Sequence, residues 1–231
     1  MFEDDPREFI KRDLEGSDAD TRRRASADLV RGLLERFAKE VTNIFSTHIN
    51  SSLTLYKTNP RENWKSKDLA LFLLTSLSAK SVTFTKGATN LNEFMPILEI
   101  FSSEIIPDLE RAADGEIHPI LKVDALKYLT IFRYQLNKQQ ILQVIPHVMR
   151  HLKSRNYCVY TWASYTLERI LAMQVNGTQM LTYEECGVFA STIIDSLFDI
   201  MFRAAGGANS ITQPLKLAEN EYLMKCIIYM D

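Results

Sequence analysis

The stretch QQILQVIPHVMRHL, Gln139 to Leu152, carries apolar residues at Ile141, Val144, Ile145, Val148 and Leu152. These three- and four-residue steps describe one face of an α-helix. A proline stands in the middle of it, in Ile145-Pro146-His147-Val148. Thirty-nine residues earlier, Ile106-Pro107-Asp108-Leu109 sits at the same place in another apolar-periodic segment, Phe94, Leu98, Phe101, Ile105 and Leu109. An internal proline costs a helix about 3 kcal/mol and usually bends it. Its recurrence predicts a shared bent helix in two copies of one structural unit.

Working outward, the same grammar continues. Asn137 with Gln140, and Thr182 with Glu185, have the spacing of helix capping boxes, and Ser17 with Asp20 resembles one. Asn59-Pro60 is a helix stop, because proline disfavours helical geometry in the residue before it. Helix pairs are predicted near 17–59, 63–112, 118–154 and 156–204, with an incomplete repeat at 219–231 and a charged insertion segment at 1–16. In the first pair the buried face is expected to hold Ala25, Leu29, Val30, Leu33, Leu34 and Phe37, and its partner Val41, Ile44, Phe45, His48, Ile49, Leu53 and Tyr56. Ala25, Ala70, Ala125, Ala163 and Cys226 occupy comparable places in five first helices, 45, 55, 38 and 63 residues apart. Units of about 40 to 47 residues with loop insertions are the signature of HEAT-type repeats. Loops at 81–91, 112–118 and 204–218 account for the wider spacings. The fold class is therefore all-α, an α-α superhelix, or solenoid, of HEAT-type pairs. The pattern stops on an apolar helix near Met230, so the chain reads as a piece of a longer solenoid.

Composition narrows the function classes. A net charge of -2 over 231 residues argues against general nucleic-acid binding, no apolar run reaches the roughly 20 residues of a membrane span, and the N-terminus lacks a signal-peptide pattern. Three scattered cysteines, Cys158, Cys186 and Cys226, fit neither a disulfide framework nor a zinc site and suit a reducing compartment. His147 and His151 have metal-compatible spacing but no third ligand, so the reading is two helix histidines. Gly206-Gly207 lacks the lysine of a phosphate loop, and no nucleophile–base–acid order is defensible, so no cofactor and no enzyme activity are expected. Aromatic residues from Phe132 to Tyr165 interleave with Arg133, Arg150, Lys153 and Arg155; this could be a single-strand platform, but core packing is favoured.

One stretch resists the architectural reading. In EDDPREFIKRDLEGSDADTRRR, Glu3 to Arg24, fourteen of twenty-two residues are charged, eight acidic and six basic. Phe9, Ile10 and Leu14 are interleaved with them as a short amphipathic turn that Gly16 interrupts. A surface carrying both signs pairs specifically with a partner that also carries both.

Glu3 to Leu33, EDDPREFIKRDLEGSDADTRRRASADLVRGL, resembles a central segment of the importin-α re-exporters, the CAS exportins of the importin-β superfamily. The similarity continues through Asn63-Trp64-Lys65-Ser66-Lys67-Asp68, Phe94 to Leu109, Pro119 to Arg133, Leu167-Glu168-Arg169 and Glu219 to Lys225. The loops at 81–91 and 174–185 depart from the family pattern. The resemblance implies a fragment of a nuclear export receptor that carries importin-α back to the cytoplasm with Ran in its GTP form. It also implies nucleoporin contacts in the full-length protein and shuttling between nucleus and cytoplasm, with neither nucleic acid nor membrane as a partner. From the charged insertion it marks Asp13, Glu15, Asp18, Asp20, Arg22, Arg23 and Arg24 as partner-binding residues. The alternative is a generic HEAT-repeat scaffold for a protein or nucleic-acid partner.

Overall fold

A computed structural model of the chain describes residues 2–15, 21–206 and 220–228. The elements in order are α1 (Pro6–Glu15), α2 (Arg22–Thr58), α3 (Trp64–Ser78), β1 (Ala79–Thr83), β2 (Gly87–Leu91) and α4 (Ile97–Ile100). A π-helical turn (Phe101–Ile105) joins α4 to α5 (Ile106–Leu109). Then come α6 (Pro119–Phe132), a 3₁₀ turn (Arg133–Gln135), α7 (Lys138–Leu152), α8 (Tyr157–Leu171), β3 (Gln174–Val175), β4 (Thr178–Gln179), α9 (Tyr183–Ala204) and α10 (Glu221–Ile228).

The helices stack in two layers. α3, α6, α8 and α10 pack successively side by side, and α5, α7 and α9 form the second layer. This is a solenoid of HEAT-type helix pairs. The small residues recur where the first-layer helices meet: Ala70, Ala125, Ala163 and Cys226 are all fully buried. α6 and α8 are covered on nearly every side, so even their polar residues lie inside. There Thr130 and Thr166 share a 2.9 Å hydrogen bond, and Asn220 Nδ2 donates to Thr161 Oγ1 at 2.7 Å. Tyr128 in α6 donates to the carbonyl of Ile97 in the second layer. The buried Lys67 ammonium, in α3, pairs with Asp108, in α5, at 2.8 Å. Both capping boxes, Asn137/Gln140 and Thr182/Glu185, are formed in both halves.

The first helix pair buries a different face from the one expected. Residues 22–58 hold two helical stretches that meet at a kink at Phe37, where φ is −132° and ψ 39°; Arg23 near one end and Tyr56 near the other reach adjacent residues of α3, Asp68 and Lys67. A straight helix would hold those two residues roughly 50 Å apart, so the chain doubles back at the kink even though Phe37-Ala38-Lys39-Glu40 holds neither glycine nor proline. Val30 and Leu34 are buried, but Ala25, Leu29, Leu33, Phe37 and Ile44 are exposed. Ala27 supplies the buried small residue instead. The helix cap observed is Thr21, whose side chain accepts from Arg24 N; the expected cap at Ser17 and Asp20 lies outside the described residues, as does Met230.

The two prolines are handled differently. Before Pro107 the helix widens into the π turn, with Leu98 and Phe94 facing solvent and Ile97, Ile100, Phe101 and Ile105 inside. Such a turn takes up a residue the i→i−4 ladder cannot serve. Pro146 instead lies within the α-helical run of α7. The π turn that precedes Pro107 has no counterpart before Pro146.

Two of the loops are antiparallel hairpins. β3 and β4 meet at Asn176-Gly177, both with positive φ, as a two-residue hairpin turn requires. β1 and β2 pair irregularly and lean on α6 at Gly87, whose φ is +67°. A Cβ there would lie 2.2 Å from the Ile131 carbonyl oxygen. Gly87→Ala is expected to lower unfolding stability by at least about 1 kcal/mol, read by chemical denaturation.

His151 is fully buried and its Nε2 bonds the Leu109 carbonyl at 3.0 Å. Burial pushes its pKa down to about 4, so the folded chain holds it neutral. The folded value lies below the ordinary 6.5, so its contribution is complete above 6.5 and lost as pH falls towards 4. Stability is expected to drop over that window by up to about 3 kcal/mol. His151→Gln, followed by urea unfolding at each pH, is expected to flatten that part of the profile.

Candidate functional site

The charged segment is built into the first layer of the stack. α1 lies across α8, with Ile10 buried and Phe9 and Leu14 packed against the core. Asp13 is its principal polar anchor. The carboxylate meets Lys127 Nζ, from α6, at 2.5 Å and accepts from Trp162 Nε1, from α8, at 3.1 Å. Lys127 stands over the rings of both Phe9 and Trp162, 5.1 and 5.3 Å from their centroids. Near the N-terminus, Cys158 Sγ donates to the Pro6 carbonyl. Phe2 packs edge-on against Phe9. His118, the cap of α6, accepts from Ile120 N through Nδ1 and faces Glu3 through Nε2 at 3.2 Å. Its ring stacks on Trp64, from α3, at 3.7 Å. Residues 2–15 thus form a strap that touches α6, its cap residue His118, and α8.

The start of α2 is tied to the same layer by a second clasp. Arg23 pairs with Asp68 at 2.8 Å and stands over the Phe72 ring at 4.6 Å, both on α3. Strap and clasp face each other across a cleft of about 480 Å³ lined by Arg12, Asp13, Arg23, Arg24, Asp124 and Lys127, among others. Asp68, Asp124 and Asp13 all act on Arg23. Asp124, from α6, is buried. Its desolvation, reinforced by the like-charged Asp68, pushes its pKa well above the ordinary 3.8, although Lys127 and Arg23 oppose the shift.

The residues expected to bind a partner therefore separate. Asp13, Arg23 and Arg24 line one cleft, and Asp13 and Arg23 are engaged within the chain. Arg22 and Arg24 are exposed, and Arg24 approaches Asp28 at 4.0 Å. Glu15 ends α1, while Asp18 and Asp20 lie outside the described residues. Sequence reasoning did not pick out the receiving side, Trp64, Asp68, His118, Asp124 and Lys127. The available signal was charge inside the apolar run PILKVDALKYL, Pro119 to Leu129, where a helix buried all round has little use for it.

The other motifs resolve as packing. Phe132, Tyr160, Trp162 and Tyr165 are buried, and Arg133 is drawn inside to donate to the carbonyls of Thr130 and Thr85. Among the described residues no three His, Cys, Asp or Glu side chains gather as a metal site, and no helix is long and apolar enough to cross a membrane. Cys158 and Cys226 are buried thiols whose pKa values burial pushes up to about 12.

Against known proteins, the Cse1 family model matches residues 1–167. The chain belongs to the Cse1 family. Exportin-2 of Oreochromis niloticus is 45% identical over 228 residues, which cover 98% of this chain and 22% of that protein. Exportin-2 of Homo sapiens is 43% identical with the same coverage. A solved structure of the exportin Cse1 in its cargo-free, cytoplasmic state superimposes with a TM-score of 0.81 at 37% identity, covering 99% of this chain and 22% of that one. The chain thus spans about a fifth of the length of these Cse1-family relatives.

A consequence for the cleft follows from Asp124. A carboxyl whose folded pKa is raised stabilises fully below 3.8 and loses that contribution as pH rises through its folded value. Asp124→Asn keeps the neutral form at every pH. Its stability advantage over the native chain is expected to be small below 3.8 and to grow on raising the pH, as read by paired thermal unfolding.

Proposed function

We propose that this chain is a central HEAT-repeat segment of a nuclear export receptor that carries importin-α back to the cytoplasm as a complex with Ran-GTP. The observation that carries this reading is the match along 98% of the chain to proteins named Exportin-2. Such a receptor works by binding. In this reading the full-length protein also touches nucleoporins and shuttles between nucleus and cytoplasm.

The segment's own part would be played by its charged strap, through Asp13, Glu15, Asp18, Asp20, Arg22, Arg23 and Arg24. Asp13 and Arg23 hold the strap and the start of α2 on the first layer, while Arg22 and Arg24 are open to a partner. A solenoid bends because each repeat touches only its neighbours. A partner that binds one curvature better than another shifts the population towards it, and the coupling is reciprocal. Contacts made to the strap in one curvature and withheld in the other would supply that difference.

The test is capture of the full-length receptor on immobilised importin-α, with Ran loaded with a non-hydrolysable GTP analogue or with GDP. Retention is expected to be about tenfold or more greater with the GTP form. Reversing Arg22, Arg23 and Arg24 to Glu should weaken it. Equal capture with GDP, or without Ran, would overturn the reading.

A further inference from the structure

The run Arg22-Arg23-Arg24 is followed at once by Ala25-Ser26. Arginines therefore stand two and three residues before a serine, with a small residue between and Ala27 after it. Serine kinases that read charge use acidic pockets that hold two guanidinium groups at those offsets, since the planar fork pairs bidentately with carboxylates. The structure leaves the acceptor reachable. Ser26, Arg22 and Arg24 are exposed, and Ser26 lies in the second turn of α2. Its hydroxyl donates only to the Arg22 carbonyl, at 2.8 Å. Kinases bind substrates extended, so the first turns of α2 must open, as helix ends do. What holds them is the Thr21 cap, the partly exposed Arg23–Asp68 pair and the single buried methyl of Ala27.

We propose that Ser26 is a phosphorylation site for an arginine-directed serine kinase, and that its phosphate draws Arg23 off Asp68. In the transfer, Ser26 Oγ bonds the γ-phosphorus of ATP as the bond to the ADP oxygen breaks. The hydroxyl proton passes to the kinase's catalytic carboxylate, and ADP leaves. Once α2 reforms, the phosphate lies three and four residues beyond Arg23 and Arg22, on the same helical face. It carries nearly two negative charges against the single one of Asp68, and three acceptor oxygens. Arg23 is the residue that clasps α2 to α3, so the modification acts on the wall of the cleft. The proposal does not depend on the transport reading.

The test is incubation of the chain with a cyclic-nucleotide-dependent serine kinase of arginine-directed specificity and labelled ATP, with the site mapped by mass spectrometry. Incorporation is expected at Ser26 and absent in Ser26→Ala. Arg24→Ala, which leaves the Arg23 clasp in place, is expected to slow it about tenfold or more. Label that persists undiminished in Ser26→Ala, or a native chain that takes up none, would overturn the assignment. In the phosphorylated chain the Arg23 side-chain Nε–H signal in nitrogen-15 spectra should move from its position in the unmodified chain. Modification with that signal unmoved would overturn the exchange of partners.

Discussion

Thr130 and Thr166 bridge α6 to α8 by a hydrogen bond between two hydroxyls that have no access to water. That bridge expresses the constraint under which the molecule is built. A helix in the middle of a two-layer stack has no solvent face, so each polar group on it must find a partner inside. A buried hydroxyl left without one costs about 1–3 kcal/mol. The partners come from neighbouring units: Asn220 serves Thr161, Tyr128 serves the Ile97 carbonyl, and Lys67 serves Asp108. Adjacent repeats are thereby held in register by polar bonds as well as by apolar area.

The same constraint explains how the charged strap is held. Lys127 and Asp124 rise from a helix that is mostly apolar, and Trp162 offers an N–H that needs an acceptor. Asp13 supplies that acceptor and meets Lys127 with the same carboxylate. Arg23 makes the equivalent attachment to α3 through Asp68 and Phe72. Both attachments are half-exposed ion pairs backed by aromatic rings, each worth of order 1 kcal/mol, beside an extensive apolar stack. The strap and the start of α2 are thus the parts of the fold that a small free energy can move. The stack beneath them is not.

Much of the architecture is legible in single residues. The spacing of Ile141, Val144, Ile145 and Val148 marks a helix face, and Asn137 with Gln140 marks where that helix starts. Asn59-Pro60 marks where α2 ends. The recurrence of Ala70, Ala125, Ala163 and Cys226 marks the packing side of successive units. The limits are equally local. Apolar periodicity assigned Leu29, Leu33 and Phe37 to a core face, yet they are exposed, because the pattern cannot distinguish a surface buried in this segment from one that is not. Periodicity also continues across Phe37 without marking the kink there, because no glycine or proline announces it. Residues 79–91 read as a loop because Gly87 dominates them, although their β-branched residues pair as a hairpin once Gly87 can approach the Ile131 carbonyl.

The sequence alone determined the helical repeat, its caps and the charged character of residues 3–24, because these depend on neighbours within one or two turns. Its resemblance to a family also singled out Asp13 and Arg23. Only the tertiary structure decided what those two residues do, because the lysine, tryptophan and carboxylates that meet them lie tens to more than a hundred residues away. It likewise decided that the Asp124 carboxyl is pushed towards its neutral form and that His151 is uncharged, since both follow from desolvation. Burial belongs to the packed stack and to no stretch of chain within it.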